Sequence, residues 1–266
     1  MLKLAGISKR YGSAETGTLA VKDLTFEIDD REVVTIVGPS GCGKTTVLKL
    51  MAGLLRPTEG TIELDGVPVT RPPEQIALVF QDYSASLYPW MKVADNVAFP
   101  LRRKKLSRAD RDARVSRALS SVGLADFADR YPWQLSGGMQ QRVAIARGLA
   151  YQPRILLMDE PFGALDAQTR ADLEDLVLRV REEFDVTIIF VTHDIDESVY
   201  LADRVLVMGP RPTFIDVDLA VDLPSPRDQI VTKDTPEFSH LRAEVYRRIK
   251  ASSLAMAAAG TAPEPH

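Results

Sequence analysis

The segment VVTIVGPSGCGKTT, residues 33–46, constrains the fold more than any other part of this sequence. It is typical of a short β-branched strand, a glycine-rich loop and the start of a helix, and Gly38–Thr45 matches the pattern G-x-x-x-x-G-K-[ST]. Gly41 and Gly43 permit backbone angles and close approaches that a Cβ would forbid. Successive backbone N–H groups can then surround a phosphate, so the segment predicts a nucleotide-binding site in an α/β protein.

Individual residues of this phosphate loop have predicted roles. Lys44 is placed to reach the β- and γ-phosphate oxygens, and the Thr45 hydroxyl to ligate Mg²⁺. Cys42 occupies a variable position of the pattern, so we expect it to offer its backbone N–H rather than to act as a nucleophile. The predicted nucleotide-binding residues of the loop are Gly38, Pro39, Ser40, Gly41, Cys42, Gly43, Lys44, Thr45 and Thr46.

Short apolar segments elsewhere favour further strands that are buried on both faces. With the first strand they cover residues 33–37, 155–158, 186–191 and 204–208. Helical patterns fall between them at 45–54, 140–150 and 171–184. Strands that alternate with helices predict a mainly parallel sheet with right-handed crossovers, flanked by helices.

Residues 82–151 break this alternation with an aromatic, proline-bearing loop, a basic run and a helical pattern at 107–122. We interpret this interval as a helical subdomain inserted into a core formed by residues 1–81 and 152–224. Residues 225–266 form a tail whose alanine-rich end we expect to be disordered.

Two acids follow the apolar strand ILLM, and ligands of such sheets collect at the carboxyl ends of the strands. Asp159 is therefore predicted to hold Mg²⁺, directly or through water. Glu160 is predicted to orient and polarise the water that attacks the γ-phosphate. The alternative is a solvated strand end with two surface acids.

Two further side chains end strands of the same predicted sheet. His193 follows TIIFVT, where a structural role is the alternative to a γ-phosphate contact. Gln81 follows IALVF, and its amide could touch Mg²⁺ or the attacking water and relay the state of the γ-phosphate to the helical subdomain. Many strands end in glutamine, so the signal from Gln81 alone is weak.

The segment LSGGMQQ, residues 135–141, predicts a second anion site at a helix N-terminus. An ordinary serine-capped helix with flexible glycines is the alternative interpretation. In order along the chain, the phosphate loop, Gln81, LSGGMQQ, ILLMDE, GALD at 163–166 and His193 resemble the motifs of an ABC transporter ATP-binding subunit. The resemblance covers about residues 1–225 and implies an ABC ATPase core that also has an N-terminal antiparallel β part.

The resemblance implies further site residues and a second subunit. Tyr11 looks like the aromatic residue that stacks on the adenine of ATP. Two chains would close head to tail over two ATP molecules, in a two-fold arrangement. The residues that would face the ATP of the opposite subunit are Ser136, Gly137, Gly138, Gln140 and Asp166.

The sequence is most similar to the nitrate, sulfonate and taurine importer group of bacteria. This similarity implies a peripheral protein on the cytoplasmic face of the inner membrane, with integral permease subunits and, indirectly, a periplasmic substrate-binding protein. The aromatic loop after Gln81 suits a groove for a permease helix, with packing inside the chain as the alternative. The predicted docking residues are Tyr83, Leu87, Tyr88 and Trp90.

Composition limits the other classes of function. A net charge of −4 gives no general electrostatic reason to expect nucleic acid, and a single cysteine excludes an internal disulfide. No apolar run reaches the roughly 20 residues of a membrane helix. The basic run at 102–105 favours a solvated face, with a weak alternative of anionic lipid contact. Soluble repair or translation ATPases, a GTP-binding switch and a non-hydrolysing module are the functional alternatives.

Overall fold

The computed structural model describes residues 1–13, 17–163 and 165–260, and the chain divides into two compact units. The first unit comprises residues 1–73 together with the chain from Ile189 onward, and the second comprises residues 74–188. The predicted helical subdomain, 82–151, falls entirely within the second unit. Residues 261–266, part of the end predicted to be disordered, lie outside the described residues.

The strands and helices follow one another along the chain within this division. The strands are β1 (Leu2–Tyr11), β2 (Thr18–Ile28), β3 (Val33–Val37), β4 (Glu59–Leu64), β5 (Val67–Pro68), β6 (Ile76–Val79), β7 (Ile155–Asp159), β8 (Thr187–Val191), β9 (Arg204–Met208) and β10 (Ile215–Ala220). The helices are α1 (Lys44–Met51), α2 (Tyr83–Ser86), α3 (Val93–Ala98), α4 (Arg108–Ser121), α5 (Gly137–Ala150), α6 (Ala167–Phe184), α7 (Ile195–Leu201) and α8 (Pro236–Gly260). Single 3₁₀ turns cover Phe99–Arg103, Ala125–Phe127 and Pro132–Gln134.

The first unit contains an antiparallel sheet in the order β2-β1-β4-β5 and a separate group of strands around β3. β3 pairs in parallel with β9, and β9 pairs antiparallel with β10. All five residues of β3 are buried, because a strand covered on both faces needs apolar side chains at every position. The α/β fold with an N-terminal antiparallel part is therefore confirmed.

The second unit contains β6 paired in parallel with β7, and the helices α2 to α6. α5 is its central helix and packs against α2, α3, α4 and α6. Gly148, which interrupts its sequence with a poor helix former, fits here because a Cβ would lie 3.0 Å from the Leu156 Cδ1 atom. The close approach of α5 to β7 therefore accounts for this glycine.

Helix boundaries differ from the predicted ones where local hydrogen bonds decide them. α1 ends at Met51 rather than Leu54, because Gly53 has a φ of +68° and a Cβ there would meet the Arg71 carbonyl at 2.6 Å. α5 and α6 begin earlier than predicted, because Ser136 and Asp166 cap them.

The tail carries a long helix that the sequence analysis missed. α8 spans Pro236–Gly260, and its buried residues Phe238, Val245 and Ser252 recur with the spacing of one helical face. This face packs against α7 and β9 of the first unit. Along the described ranges of the chain, no helix is both long enough and apolar enough to cross a membrane.

The packing of α8 predicts the effect of a substitution in the tail. Phe238 is 1% exposed, so Phe238→Ala should lower the free energy of unfolding by about 3 kcal/mol, through lost burial and the cavity left behind. Tyr246→Ala, on the exposed side of the same helix, should change it by less than about 0.5 kcal/mol. Urea denaturation measures both, and equal effects would show that α8 does not belong to the folded unit.

Candidate functional site

The phosphate loop presents the uncapped start of a helix. α1 begins at Lys44, and Gly43, the residue before it, has a φ of 123° and no side chain to cap the helix. The first N–H groups of α1 therefore have no side-chain acceptor at the cap position. An uncapped helix start after a glycine-rich loop is a binding site for an anionic group.

A tight turn gives the loop its shape. The Cys42 backbone N–H donates to the Pro39 carbonyl at 3.2 Å, and Gly41 inside the turn has a φ of +74°. The Lys44 ammonium donates to the carbonyls of Gly38 at 2.9 Å and Pro39 at 3.3 Å. Lys44 is buried, so its charge is held at the loop.

Cys42 packs inside the unit rather than facing solvent. Burial raises the pKa of its thiol, although the Lys44 ammonium and the Arg211 guanidinium oppose the shift. A buried thiol with a raised pKa has little thiolate at neutral pH and is a poor nucleophile. This environment agrees with the expected backbone role of Cys42.

Tyr11 lies at the end of β1 beside the phosphate loop. Its hydroxyl is 3.3 Å from the Thr46 hydroxyl, and its side chain is exposed. The Lys9 ammonium lies 5.5 Å from the centre of the Tyr11 ring. An exposed ring next to the loop offers a flat apolar face for a nucleotide base. Its contact with adenine stays a prediction.

Two of the predicted catalytic side chains meet in the second unit. The Gln81 amide donates to the Glu160 carboxylate at 3.3 Å. Glu160 has a φ of +43°, a left-handed conformation that glutamate rarely adopts and that costs about 1–3 kcal/mol. Asp159, the last residue of β7, is buried. Strain of this kind concentrates at functional sites, and no feature of the sequence indicated it.

His193 lies in the first unit, in a turn fixed on both sides. The Thr192 backbone N–H donates to the Ile36 carbonyl at 3.2 Å, and the Thr192 hydroxyl accepts from the Asp194 N–H at 3.0 Å. Asp194 in turn caps α7 by accepting from the Glu197 N–H. The imidazole is exposed, as a contact with bound ligand would require.

The LSGGMQQ segment forms the start of α5, and the serine cap of the alternative interpretation is present. The Ser136 hydroxyl oxygen accepts from the Met139 N–H at 3.3 Å. A hydroxyl that accepts in this way keeps its own hydrogen, so the exposed Ser136 can still donate to a phosphate oxygen. Gly138 is buried, and a Cβ there would lie 2.5 Å from the Thr169 Cγ2 atom of α6.

Two residues predicted to face the opposite subunit make hydrogen bonds inside their own chain. The Gln140 amide donates to the carbonyls of Pro132 at 3.0 Å and Leu135 at 3.2 Å, which fixes the segment before α5. Asp166 accepts from the Thr169 N–H at 3.0 Å and its hydroxyl at 2.7 Å. These bonds lower the pKa of the Asp166 carboxyl. Contacts of Gln140 and Asp166 with a second subunit stay predictions, and Ala164 of the GALD segment lies outside the described residues.

The aromatic loop is rigid because of a residue that the sequence analysis did not select. The buried Asn96 accepts from the Tyr88 N–H at 2.8 Å and donates to the carbonyls of Tyr88, Met91 and Lys92. The Tyr88 ring lies between Trp90 and Phe99, with centroid distances of 5.5 and 4.5 Å.

The predicted docking residues differ in their exposure. Trp90 is 70% exposed, whereas Leu87 is 3% exposed and packs inside the unit, so Leu87 can support a docking surface only from beneath. Tyr88 is half-buried. The side chain of Tyr83 lies outside the described residues.

The basic run at 102–105 is only partly the solvated face that was expected. Arg103 and Lys105 are exposed. The Lys104 ammonium donates to the Tyr151 carbonyl at 2.9 Å and lies 3.7 Å from the centre of the Tyr151 ring. Partial burial lowers the pKa of Lys104. Lys104 therefore joins the 3₁₀ turn to the end of α5.

Comparisons with known proteins agree with this geometry. The family profile described as ABC transporter matches residues 21–163. A Brucella abortus protein named only for ATP binding is 48% identical over 240 residues, 90% of each chain. The nitrate transport protein NasD of Klebsiella oxytoca is 40% identical over 250 residues, 92% of this chain and 94% of NasD. The post-hydrolysis dimer of the ATP-binding cassette MJ0796, bound to ADP and Pi, superposes with a TM-score of 0.71 and 34% identity, over 83% of this chain and 99% of MJ0796.

The chain belongs to the ABC transporter family. It is an ATP-binding ATPase subunit of that family, and the nucleotide of its phosphate loop is ATP.

The contact between Gly138 and Thr169 predicts a compensating pair of substitutions. Gly138→Ala should destabilise the protein by about 1–3 kcal/mol, because the new methyl group overlaps the Thr169 methyl. Thr169→Ser removes that methyl and keeps the hydroxyl that bonds to Asp166. The double variant should therefore recover most of the lost stability in urea denaturation. Additive losses would contradict the packing explanation.

Proposed function

We propose that this ATPase drives the uptake of a small oxyanion or organosulfur compound through a separate membrane permease. The similarity to NasD, a nitrate transport protein, supports an oxyanion. The resemblance to sulfonate and taurine importers keeps organosulfur compounds within the proposal. A soluble, non-transport ATPase is not favoured, because the matching family is one of transporters. The protein would act at the cytoplasmic face of the inner membrane and depend indirectly on a periplasmic substrate-binding protein.

The strained, hydrogen-bonded Glu160 is the observation that carries the catalytic assignment. Its left-handed backbone at the carboxyl end of β7 fixes where the carboxylate begins, and the Gln81 amide fixes one carboxylate oxygen at 3.3 Å. A carboxylate held in this way can orient a water and accept its proton during in-line attack on the γ-phosphate. Gln81 would position Glu160 and report the state of the γ-phosphate.

The remaining groups would act on the charge of the substrate. Lys44 would exchange the loop carbonyls that it now contacts for β- and γ-phosphate oxygens, and His193 would contact the γ-phosphate. The Thr45 hydroxyl, the Gln81 amide oxygen and the Asp159 carboxylate are hard oxygen donors of the kind Mg²⁺ prefers. Mg²⁺, when bound, would neutralise phosphate charge.

A second copy of the chain would complete each site. Ser136 retains a hydrogen to donate, and the exposed start of α5 suits the γ side of an ATP bound to another subunit. Two chains related by a two-fold axis would then share two ATP molecules. Loss of the γ-phosphate removes contacts from both chains, which couples hydrolysis to opening.

Glu160→Gln tests the hydrolytic assignment. The amide cannot accept the proton of the attacking water, so turnover should fall at least about 100-fold while ATP binding persists. Sedimentation should then show ATP-dependent dimers that do not dissociate. The matched control, Glu182→Gln on the exposed face of α6, should keep the parent rate. Unchanged hydrolysis in Glu160→Gln would remove Glu160 from the mechanism.

We further propose where the permease docks. The second unit contains a pocket of about 470 Å³ formed by α3, α4 and the 3₁₀ turns after α3 and α4. It is lined by small or apolar residues and by two acids and two arginines: Ala94, Asp95, Ala98, Arg102, Arg111, Asp112, Val115, Ser116, Leu119, Ala125 and Ala128.

The aromatic cluster continues into this pocket. The Arg102 guanidinium lines the pocket and lies 5.1 Å from the centre of the Phe99 ring, which contacts Tyr88, which in turn contacts Trp90. Small residues let a helix approach closely, and charged side chains can pair with its polar face. A short cytoplasmic helix of the permease is therefore the occupant that we propose for the pocket and for Trp90.

Filling the pocket should separate ATP hydrolysis from transport. Ala98→Trp places a large side chain in the pocket, so the permease should no longer stimulate the ATPase in reconstituted vesicles. The isolated subunit should keep its own ATPase rate. Ala113→Trp, on the exposed side of α4, is the control and should couple normally. Trp90→Ala should also uncouple the two activities, and normal coupling in both Ala98→Trp and Trp90→Ala would overturn this docking site.

A further inference from the structure

The loop between β9 and β10 is a rigid support next to the phosphate loop. The Gly209 N–H donates to the Phe214 carbonyl at 2.9 Å and closes the loop. The buried Thr213 donates its N–H to the Ala20 carbonyl and accepts from the Lys22 N–H, both at 2.9 Å. Two strands of the first unit, β2 and β9, therefore hold this loop in place.

Arg211 extends from this support to the phosphate loop. Its guanidinium Nη2 donates to the Gly41 carbonyl at 2.6 Å. The same peptide unit is held from its other side, because the Cys42 N–H donates to the Pro39 carbonyl at 3.2 Å. The peptide between Gly41 and Cys42 thus has both its carbonyl and its N–H fixed.

The support also lies against the glycines of the loop. A Cβ on Gly43 would lie 3.5 Å from the Thr213 Cγ2 atom, and one on Gly38 would lie 2.9 Å from the Met208 carbonyl oxygen at the end of β9. β9 and the loop after it therefore contact the phosphate loop at both its first and its last glycine. Arg211 adds the contact in its middle.

We propose that Arg211 is a positioning residue that holds the phosphate loop in its ATP-binding shape. This inference rests on ATP binding at that loop. The Gly41 carbonyl carries partial negative charge that would repel the triphosphate if it turned inward. A guanidinium bonded to it directs that carbonyl away and adds positive charge beside the loop. The loop then needs little reorganisation when ATP arrives, which strengthens binding.

Arg211 would act on binding rather than on the chemical step. It donates to the loop and not to the reacting atoms, so its effect should be similar in the ground state and the transition state. Removal of such uniform binding raises KM and leaves kcat nearly unchanged. A residue that only stabilised the fold would instead lower the melting temperature without nucleotide.

The test is calorimetric titration of ATP into Arg211→Ala, built on Glu160→Gln so that ATP is not consumed. Kd should rise about tenfold, the effect of losing one exposed hydrogen bond from a charged donor. Arg211→Lys keeps the charge and should fall between Arg211→Ala and the parent. Arg248→Ala, which removes an exposed guanidinium from α8, is the control and should bind ATP like the parent. With Glu160 intact, Arg211→Ala should show the same rise in KM and a kcat within about twofold of the parent.

The outcomes separate this inference from the assignment of the site. An ATP affinity of Arg211→Ala within twofold of the parent would overturn the positioning role, as would a fall in kcat with unchanged KM. A fall in melting temperature without nucleotide that accounts for the whole loss of affinity would make Arg211 structural and overturn it too. If Lys44→Ala binds ATP as tightly as the parent, the phosphate-loop assignment itself fails, whatever Arg211 does.

Discussion

The function of this protein depends on a short length of backbone that must point its N–H groups at an anion with no side chain in the way. Gly41 and Gly43 supply the left-handed angles that this shape requires, and α1 begins without a side-chain cap. Any residue with a Cβ would be strained at these two positions. Such a loop gains little from its own contacts, so the surrounding structure has to hold it. Strand β9, the loop after it and the Lys44 ammonium do so.

Side-chain caps show the opposite arrangement at the other functional helices. Ser136, Asp166 and Asp194 each cap the helix that follows them, and each stands in or next to a residue assigned to nucleotide contact. A cap fixes the backbone and therefore the side chains beside it, at about 1 kcal/mol each. In these motifs, the same residue can thus shape its own chain and meet a ligand. Gly138 is similar, because the space it leaves empty is needed by Thr169.

The sequence predicted the parts of the structure that depend on local pattern. Strand β3 and strand β9 have the predicted bounds, because buried parallel strands are continuous apolar runs. The sequence did not reveal α8, whose buried positions are separated by charged residues and end in an alanine-rich stretch. Nor could it reveal contacts that depend on tertiary structure, such as the bond from Arg211 to Gly41 or the burial of Gln141 with its amide unbonded among the described residues. Glu160 was selected for its position after a strand, but its backbone strain is visible only in three dimensions.

The central claim is that each ATP is held between loops of two different chains. Mixing two defective variants tests it most directly: Lys44→Ala, which lacks the phosphate-loop cation, and Ser136→Glu, which blocks the start of α5. In a two-fold dimer, a mixed pair contains one site with both defects and one site with neither. Single-turnover ATP hydrolysis should therefore be lost in each variant alone and recover to about a quarter of the parent level in an equal mixture. Hydrolysis at the parent level by Ser136→Glu alone, or no recovery in the mixture, would contradict the account.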